Sequence, residues 1–317
     1  MKRFVVSSEK TLGAVLQKLA VDPRWLAEGR VFVGPVRAKR EDHTLRPGDE
    51  VRIEEPSQGG ANVASAPPMP PILFEDEDLC VVHKPAGIST IGDQKSEADS
   101  LRGLVAAYRT CETDHVHATS RLDRLVSGIV TFTLTKNARD ALALAREQGT
   151  YRRRYFAIGS VAANARGAEP KVAPVWDAPI GRAKNSRLRM IRGKDATSAK
   201  THATLAAFTQ EAALLALEPQ TGRTHQLRLH AAHAGLPLFG DKDYGGPIVH
   251  SDADGRVVPL RRIALHAAIV RFPYRGSELT VQAPVGDELL ALWKSLGGVE
   301  EAWNTLGTCA VPSSCDR

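Results

Sequence analysis

Apolar residues recur in this chain at two different periods, and the changes of period mark out its elements. Leu12, Val15, Leu16 and Leu19 share one face at helical spacing, which predicts an amphipathic helix over residues 9–20. Pro23 to Glu28 reads as a second short helix, with Pro23 in the first turn, where a missing N–H costs nothing. RVFVG and DEVRIEE then read as strands about the turn RPGD. Residues 57–71, SQGGANVASAPPMPP, hold almost no large side chains, cannot build a core and read as a linker. They set a small unit, 1–56, apart from the remainder.

In the remainder, ILF and LCVV read as strands around an acidic turn, and residues 99–110 suit a helix. GIVTFTLT (128–135) is β-branched and strand-like, and KNARDALALAREQ (136–148) has helical periodicity with Gly149 as its stop. RYFAIGSV is a strand, HATLAAFTQ and AALLALEPQ pair as a hairpin, and THQLRLHAAHAG is a helix stopped by Gly235. RIALHAAIVRF and SELTVQAP are late strands, and residues 305–317 read as a loose tail. Strands outnumber helices without regular alternation, so the fold class expected is α+β.

Composition narrows the function classes. Of 317 residues, 43% are hydrophobic and 25% charged, a globular balance that argues against wholesale disorder. No run of 18 apolar residues is present to span a membrane, and the FVV that follows the basic N-terminal pair is too short for a signal peptide. Cys80, Cys111, Cys309 and Cys315 form no CxxC, so neither a zinc site nor a disulfide framework is expected, and the setting expected is the reducing cytoplasm. The net charge of +6 is modest, but residues 181–200 carry seven basic residues against Asp195, and Arg152, Arg153 and Arg154 form a second block. Two such blocks point to a polyanionic partner, nucleic acid above all.

Motifs for nucleotide, dinucleotide, metalloprotease and ordinary hydrolase chemistry (GxxxxGK[ST], GxGxxG after a strand, HExxH, GxSxG) are missing. Three polar segments interrupt the apolar pattern instead. In SRLDRLVSGIV, Asp123 lies between Arg121 and Arg124 at the edge of a buried strand, where a carboxylate is costly unless paired. In TGRTHQLRLHAAHAG, a helix from about Thr224, capped by Thr221 or Thr224, would bring Arg223 and free N–H groups to an anion, a phosphate or Asp123 itself; Arg228 lies further along. His225, His230, His233 and His266 offer a metal reading, which would make the chain a metal-dependent nuclease, but no carboxylate shares their turn, and no metal is expected. In YRRRYFAIG, Tyr155 follows the arginine block, an aromatic beside cations as base stacking requires.

Taken together, HKPAGIST (83–90), SRLDRLVSGIV (120–130), RRYFA (153–157), TGRTHQLRLHAAHAGLPLFGDKDYGG (221–246) and ALHA (264–267) closely resemble the RluA-type pseudouridine synthases. The resemblance runs in the family's order and spacing from residue 72 to 295, leaving 296–317 as a C-terminal tail. Residues 1–56 resemble the small RNA-binding module first named in ribosomal protein S-four, which also fits that family. Two positions depart from the pattern: Ser120 stands where the family has His, and Val126 where it has Thr. The resemblance implies a larger, mixed and mainly antiparallel sheet domain with flanking helices. It implies isomerisation of uridine to pseudouridine in ribosomal or transfer RNA, with base flipping and no cofactor. Asp123 matches the essential aspartate, Tyr155 the stacking tyrosine and Arg223 the arginine that pairs with the aspartate, with Arg228 as second choice. Arg121 matches the arginine that fills the gap left by the flipped base, and Arg124, Arg153 and Arg154 are further RNA-binding candidates. A non-catalytic RNA-binding or ribosome-assembly protein on the same fold is the alternative.

Overall fold

The computed structural model describes residues 2–6, 8, 10–19, 21, 24–27, 31–33, 36–38, 40–53, 68–92, 97–184, 188–252 and 254–308. It divides into two compact units, Met1–Ser65 and Ala66–Arg317. Most of the linker expected at 57–71, and the tail beyond residue 308, lie outside the described residues.

The first unit is a four-stranded antiparallel sheet in the order Lys2–Val5, Glu50–Ile53, Val31–Val33, Val36–Arg37, with helices Leu12–Lys18 and Arg24–Ala27. Leu12, Val15 and Leu16 face Val31, Leu45, Val51 and Ile53, the core that the helical spacing foretold. The first helix is shorter than the expected 9–20. Lys10 and Thr11 pair as strand with Thr44 and Leu45, and the Thr11 side chain accepts from the Ala14 N–H at 3.3 Å to cap the helix.

The second unit is built on a ten-stranded sheet. Eight strands run in the order Val175–Asp177, Lys200–Phe208, Ala212–Pro219, Arg152–Ser160, Leu265–Tyr274, Ser127–Thr133, Leu79–Lys84, Ile72–Glu75. Ser277–Gln282 pairs with the fifth of these strands and His117–Ala118 with the sixth. All pairings are antiparallel except Ser127–Thr133 with Leu265–Tyr274, so the α+β, mixed and mainly antiparallel architecture stands. Alternate residues of each strand serve opposite faces. Val130, Phe132, Tyr155, Ala157, Leu215 and Leu217 pack with Leu101 and Val105 of helix Leu101–Tyr108 and with Leu227 and Ala231 of helix Gln226–His233. On the other face, Ile129 packs with Leu142 of helix Lys136–Glu147, and Phe156, Ile158 and Leu214 pack with Trp293 and Trp303. Strand Ser127–Thr133 is thus buried along its whole length, which explains its unbroken apolar and β-branched run.

Three features depart from expectation. Helix Asp287–Ser295 follows the late strands, in residues for which the sequence announced no element. Within 296–317, read as a C-terminal tail that is loose from residue 305, helix Ala302–Thr308 buries Trp303 and Leu306 against the sheet; at the tail position the apolar pair is too short a signal for periodicity to find. Between residues 180 and 197, the basic stretch forms a three-stranded sheet, Ile180–Arg182, Arg189–Ile191 and Lys194–Thr197, which packs Ile180 on Leu229 of helix Gln226–His233.

Candidate active site

Asp123 lies in the loop that leads into Ser127–Thr133, and the loop is fastened at each end. The Thr90 hydroxyl both accepts from the Leu122 N–H (3.0 Å) and donates to the Leu122 carbonyl (2.9 Å), out of contact with water. Val126 N–H donates to the Asp123 carbonyl at 3.0 Å and closes a turn around the aspartate. On the far side, Gly128 has φ +119, and a Cβ there would stand 2.3 Å from the Ala267 carbonyl oxygen; only glycine lets the parallel strand come so close. Beneath the loop, the wholly buried Lys84 ammonium donates to the carbonyls of Pro85 (3.0 Å), Ile88 (2.8 Å) and Arg124 (3.3 Å). Burial, reinforced by the charge of Arg262 and opposed by Asp123, pushes the Lys84 pKa down to about 7.

Asp123 is paired with Arg228, not Arg223. Arg228 Nη1 donates to Asp123 Oδ2 at 2.9 Å. The Arg228 side chain is 5% exposed and that of Asp123 31%, so the cation is the buried floor and the carboxylate opens to the cavity. The rest of the guanidinium is held by residues to which the sequence reading gave no role. Nε and Nη2 grip Asp241 in a two-point bond, both at 2.7 Å, Nη2 also donates to Asp243 at 2.9 Å, and the Tyr244 ring lies 5.0 Å below the guanidinium carbon. Burial opposes the Arg228 charge, but the bonds to Asp241 and Asp123 more than reverse this, and its pKa is raised. The signal was in the sequence, as GDKDYGG: two acids two positions apart between glycines, directly after an apolar run.

Arg223 is exposed, with Nε donating to the Ser198 carbonyl at 3.0 Å. The reason is local. The helix begins at Gln226, not at Thr224, and neither threonine caps it: the Thr221 hydroxyl accepts from the Lys200 N–H and donates to Gln226 Oε1. The chain enters through His225 at φ 58, a left-handed conformation costing roughly 1–2 kcal/mol for a non-glycine residue. That turn points Arg228 inward and leaves Arg223 at the rim. His225 Nδ1 lies 2.8 Å from the Tyr244 hydroxyl and its Nε2 3.9 Å from Asp123 Oδ2; burial holds its pKa below the usual histidine value.

These groups line a cavity of about 360 Å³, whose wall includes Tyr155, Arg121, Arg146, Arg153, Arg223 and Leu265. The volume lies within the range, roughly 300–1,000 Å³, of sites for small organic groups. Tyr155 is 5% exposed, on the same face of its strand as Arg153. Arg153 Nε is buried with no hydrogen-bond partner among the described residues, and Arg146 Nη1 donates to the Thr119 carbonyl at 2.7 Å. Two expected RNA contacts do not line the cavity. Arg154 alternates to the other face and bonds Glu218 and the Leu306 carbonyl; Arg124 turns back on its own loop, its Nε on the Gly87 carbonyl at 2.8 Å. Three of the four histidines weighed as ligands are engaged separately, His225 with Tyr244 and the other two as follows. His230 Nε2 faces the Ala178 carbonyl at 3.0 Å, which can only accept, so Nδ1 accepts from the Thr201 hydroxyl at 2.9 Å. Buried His266 bonds Ser127 at 2.7 Å, and no cluster of three or more metal-ligating side chains occurs among the described residues.

The family model described as RNA pseudouridylate synthase matches residues 78–233. An uncharacterized RNA pseudouridine synthase of Bacillus subtilis is 32% identical over 253 residues, covering 78% of this chain and 75% of its own. The ribosomal large subunit pseudouridine synthase D of Vibrio cholerae is 30% identical over 283 residues, covering 86% of this chain and 85% of its own. Among solved structures, human RNA pseudouridylate synthase domain containing 1 is similar in fold, with a TM-score of 0.52 at 23% identity over 69% of this chain and 85% of that one.

Proposed function

The chain belongs to the RNA pseudouridylate synthase family, and from that premise we propose that the cavity over Asp123 is where it isomerises a flipped uridine. The enzyme is an isomerase acting on RNA. The reaction breaks the glycosidic N1–C1′ bond and rejoins the same base through C5, with one proton leaving C5 and one arriving at N1. No electrons or groups are exchanged with another reactant, so side chains suffice.

The observation that carries the reading is a single one: an aspartate held by a buried arginine opens into a nucleoside-sized cavity that also contains an aromatic ring. The target must leave its stack at a cost of a few kcal/mol. Contact with the Tyr155 ring returns about 1–3 kcal/mol, and Arg121, Arg146, Arg153 and Arg223 supply positive charge at the wall for the flanking phosphates. Arg228 holds Asp123 in place, ready to act on the sugar or the base. The names of the relatives favour ribosomal over transfer RNA as substrate. The basic sheet 180–197 would hold RNA backbone, and the first unit, with its helix-helix-strand order, would add affinity as an S-four-like module.

Asp123→Asn keeps the shape of the side chain and removes its charge and its nucleophilic or basic oxygen. Pseudouridine mapping of RNA incubated with this variant should find none, with RNA affinity largely kept. Turnover near the wild-type rate would overturn the assignment of Asp123.

A further inference from the structure

His225 turns the chain into helix Gln226–His233, and its ring forms part of the cavity wall. The neighbours of that ring fix where its proton sits. The Arg189 N–H can only donate, and it donates to the Tyr244 hydroxyl at 3.1 Å. Burial raises the pKa of that hydroxyl, which therefore keeps its one proton; among the described residues the acceptor that bonds it is His225 Nδ1, at 2.8 Å. For the imidazole, burial is the largest influence. With Arg228 it holds the pKa below the usual histidine value against the pull of Asp123, Asp241 and Asp243, so near neutral pH the ring is uncharged and carries a single proton. Since Nδ1 accepts, that proton is on Nε2. Nε2 makes no hydrogen bond among the described residues: Asp123 Oδ2 lies 3.9 Å away, beyond hydrogen-bond range. A neutral donor is thus fixed from behind and presented at the cavity wall, beside the carboxylate.

We propose that His225 is a catalytic residue of the isomerisation: its Nε2–H donates a hydrogen bond to the O2 carbonyl of the uracil as the base leaves the sugar. This rests on the reading of the Asp123 cavity given above. When N1–C1′ breaks, its electron pair stays with the base and spreads from N1 onto O2 and O4. The pair returns to the sugar through C5, which then loses its proton as N1 gains one. The histidine proton stays on Nε2 throughout, so the hydrogen bond strengthens and relaxes without consuming an acid or a base. O2 flanks the breaking bond and O4 lies across the ring, so a donor beside the carboxylate meets O2. A preorganised donor aimed at the oxygen where charge develops lowers the barrier. An imidazolium in this place would pair with Asp123 instead; the neutral ring leaves that carboxylate to Arg228 and to the substrate.

The test is His225→Asn. Asparagine tolerates the left-handed conformation, and its shorter side chain ends before the place of Nε2. Single-turnover rate constants and RNA Kd are measured with uridine, 2-thiouridine or 4-thiouridine at the target position, since sulfur is a poor acceptor. On uridine the rate constant should fall by about 100-fold, with Kd changed less than about twofold, because the bond tightens only as charge develops. On 2-thiouridine wild type and variant should differ by less than about tenfold, and on 4-thiouridine the difference should stay near about 100-fold. His225→Gln, whose longer side chain carries an amide N–H toward the place of Nε2, should recover at least about tenfold of the lost rate. His225→Gly, suited to positive φ, is the second variant should asparagine not fold, with the same expected and overturning results. A uridine rate within about threefold of wild type, a loss on 2-thiouridine as large as on 4-thiouridine, or a glutamine variant no faster than asparagine would overturn the proposal. If Asp123→Asn is inactive while His225→Asn matches wild type, only the role of His225 fails; if Asp123→Asn keeps its turnover, the reading of the cavity itself fails.

Discussion

At the scale of single residues, burial separates two arginines that the sequence presents as near equals. Arg228 is anchored to Asp241, a carboxylate out of contact with water, whereas Arg223 makes a rim contact to a carbonyl. Arg228→Ala leaves that buried charge unpaired and should cost about 3–5 kcal/mol of stability as well as most activity. Arg223→Ala should cost less than about 1 kcal/mol and act mainly on RNA affinity. Denaturant midpoints of the two variants check this, and equal losses would contradict the assignment of the partner. Asp123 and Tyr155 were legible because a carboxylate at a core edge and an aromatic beside cations are unusual in sequence. The choice of arginine was not legible, since it turns on one left-handed residue, His225, that no periodicity announces. Arg154 sits away from the cavity for a related reason: a run of three basic residues on a strand serves two faces, and only one faces the cavity.

At the scale of elements, Lys84 is the staple between two loops. It joins segment 85–88 to the Asp123 loop through three carbonyls, and three N–H donors match three acceptors only while the amine is protonated. With a pKa near 7, the proton is lost as pH rises past neutrality, and the loop loses one tie. Turnover should therefore decline on the alkaline side of about 7 in wild type, and this limb should be absent from Lys84→Met, whose rate is low at every pH. Stability runs the other way. Between about 7 and 10.5 the unfolded chain holds the lysine proton and the folded chain does not, so this residue's contribution rises with pH through that window. Denaturant unfolding of wild type against Lys84→Met over the same range reads the slope; a flat difference would contradict the buried amine. The long strands and the helix at 136–147 were legible because each carries a strong period bounded by turn residues. The short strands between 175 and 197 were not, because each is only three or four residues long and buries at most two of them, too few for a period to show.

At the scale of the whole chain, the two units differ in what they can contribute. Among the described residues, Val6, Leu12, Val15, Leu16, Val31, Leu45, Val51 and Ile53 form a core within the first unit, while the clusters around the large sheet draw on residues after 68. Among the described residues, those that line the Asp123 cavity all belong to the second unit. Among the described residues, none of 1–65 belongs to the site or to the clusters of the large sheet, so the enzyme truncated by residues 1–65 should fold and should isomerise RNA at saturating concentration. Affinity should change, by an amount set by charge. Residues 1–65 carry eleven basic against nine acidic residues, a small excess that suits contact with few phosphates. Each phosphate contact contributes about 0.7–0.9 to the slope of log affinity against log salt. The truncated enzyme should bind more weakly with a slope shallower by about one to three such units, the greater part remaining with Arg121, Arg146, Arg153 and the basic sheet. A salt titration of RNA binding with both proteins measures this. An unchanged slope would remove the first unit from RNA recognition, and a folded truncation inactive on saturating RNA would place part of the catalytic arrangement outside the second unit.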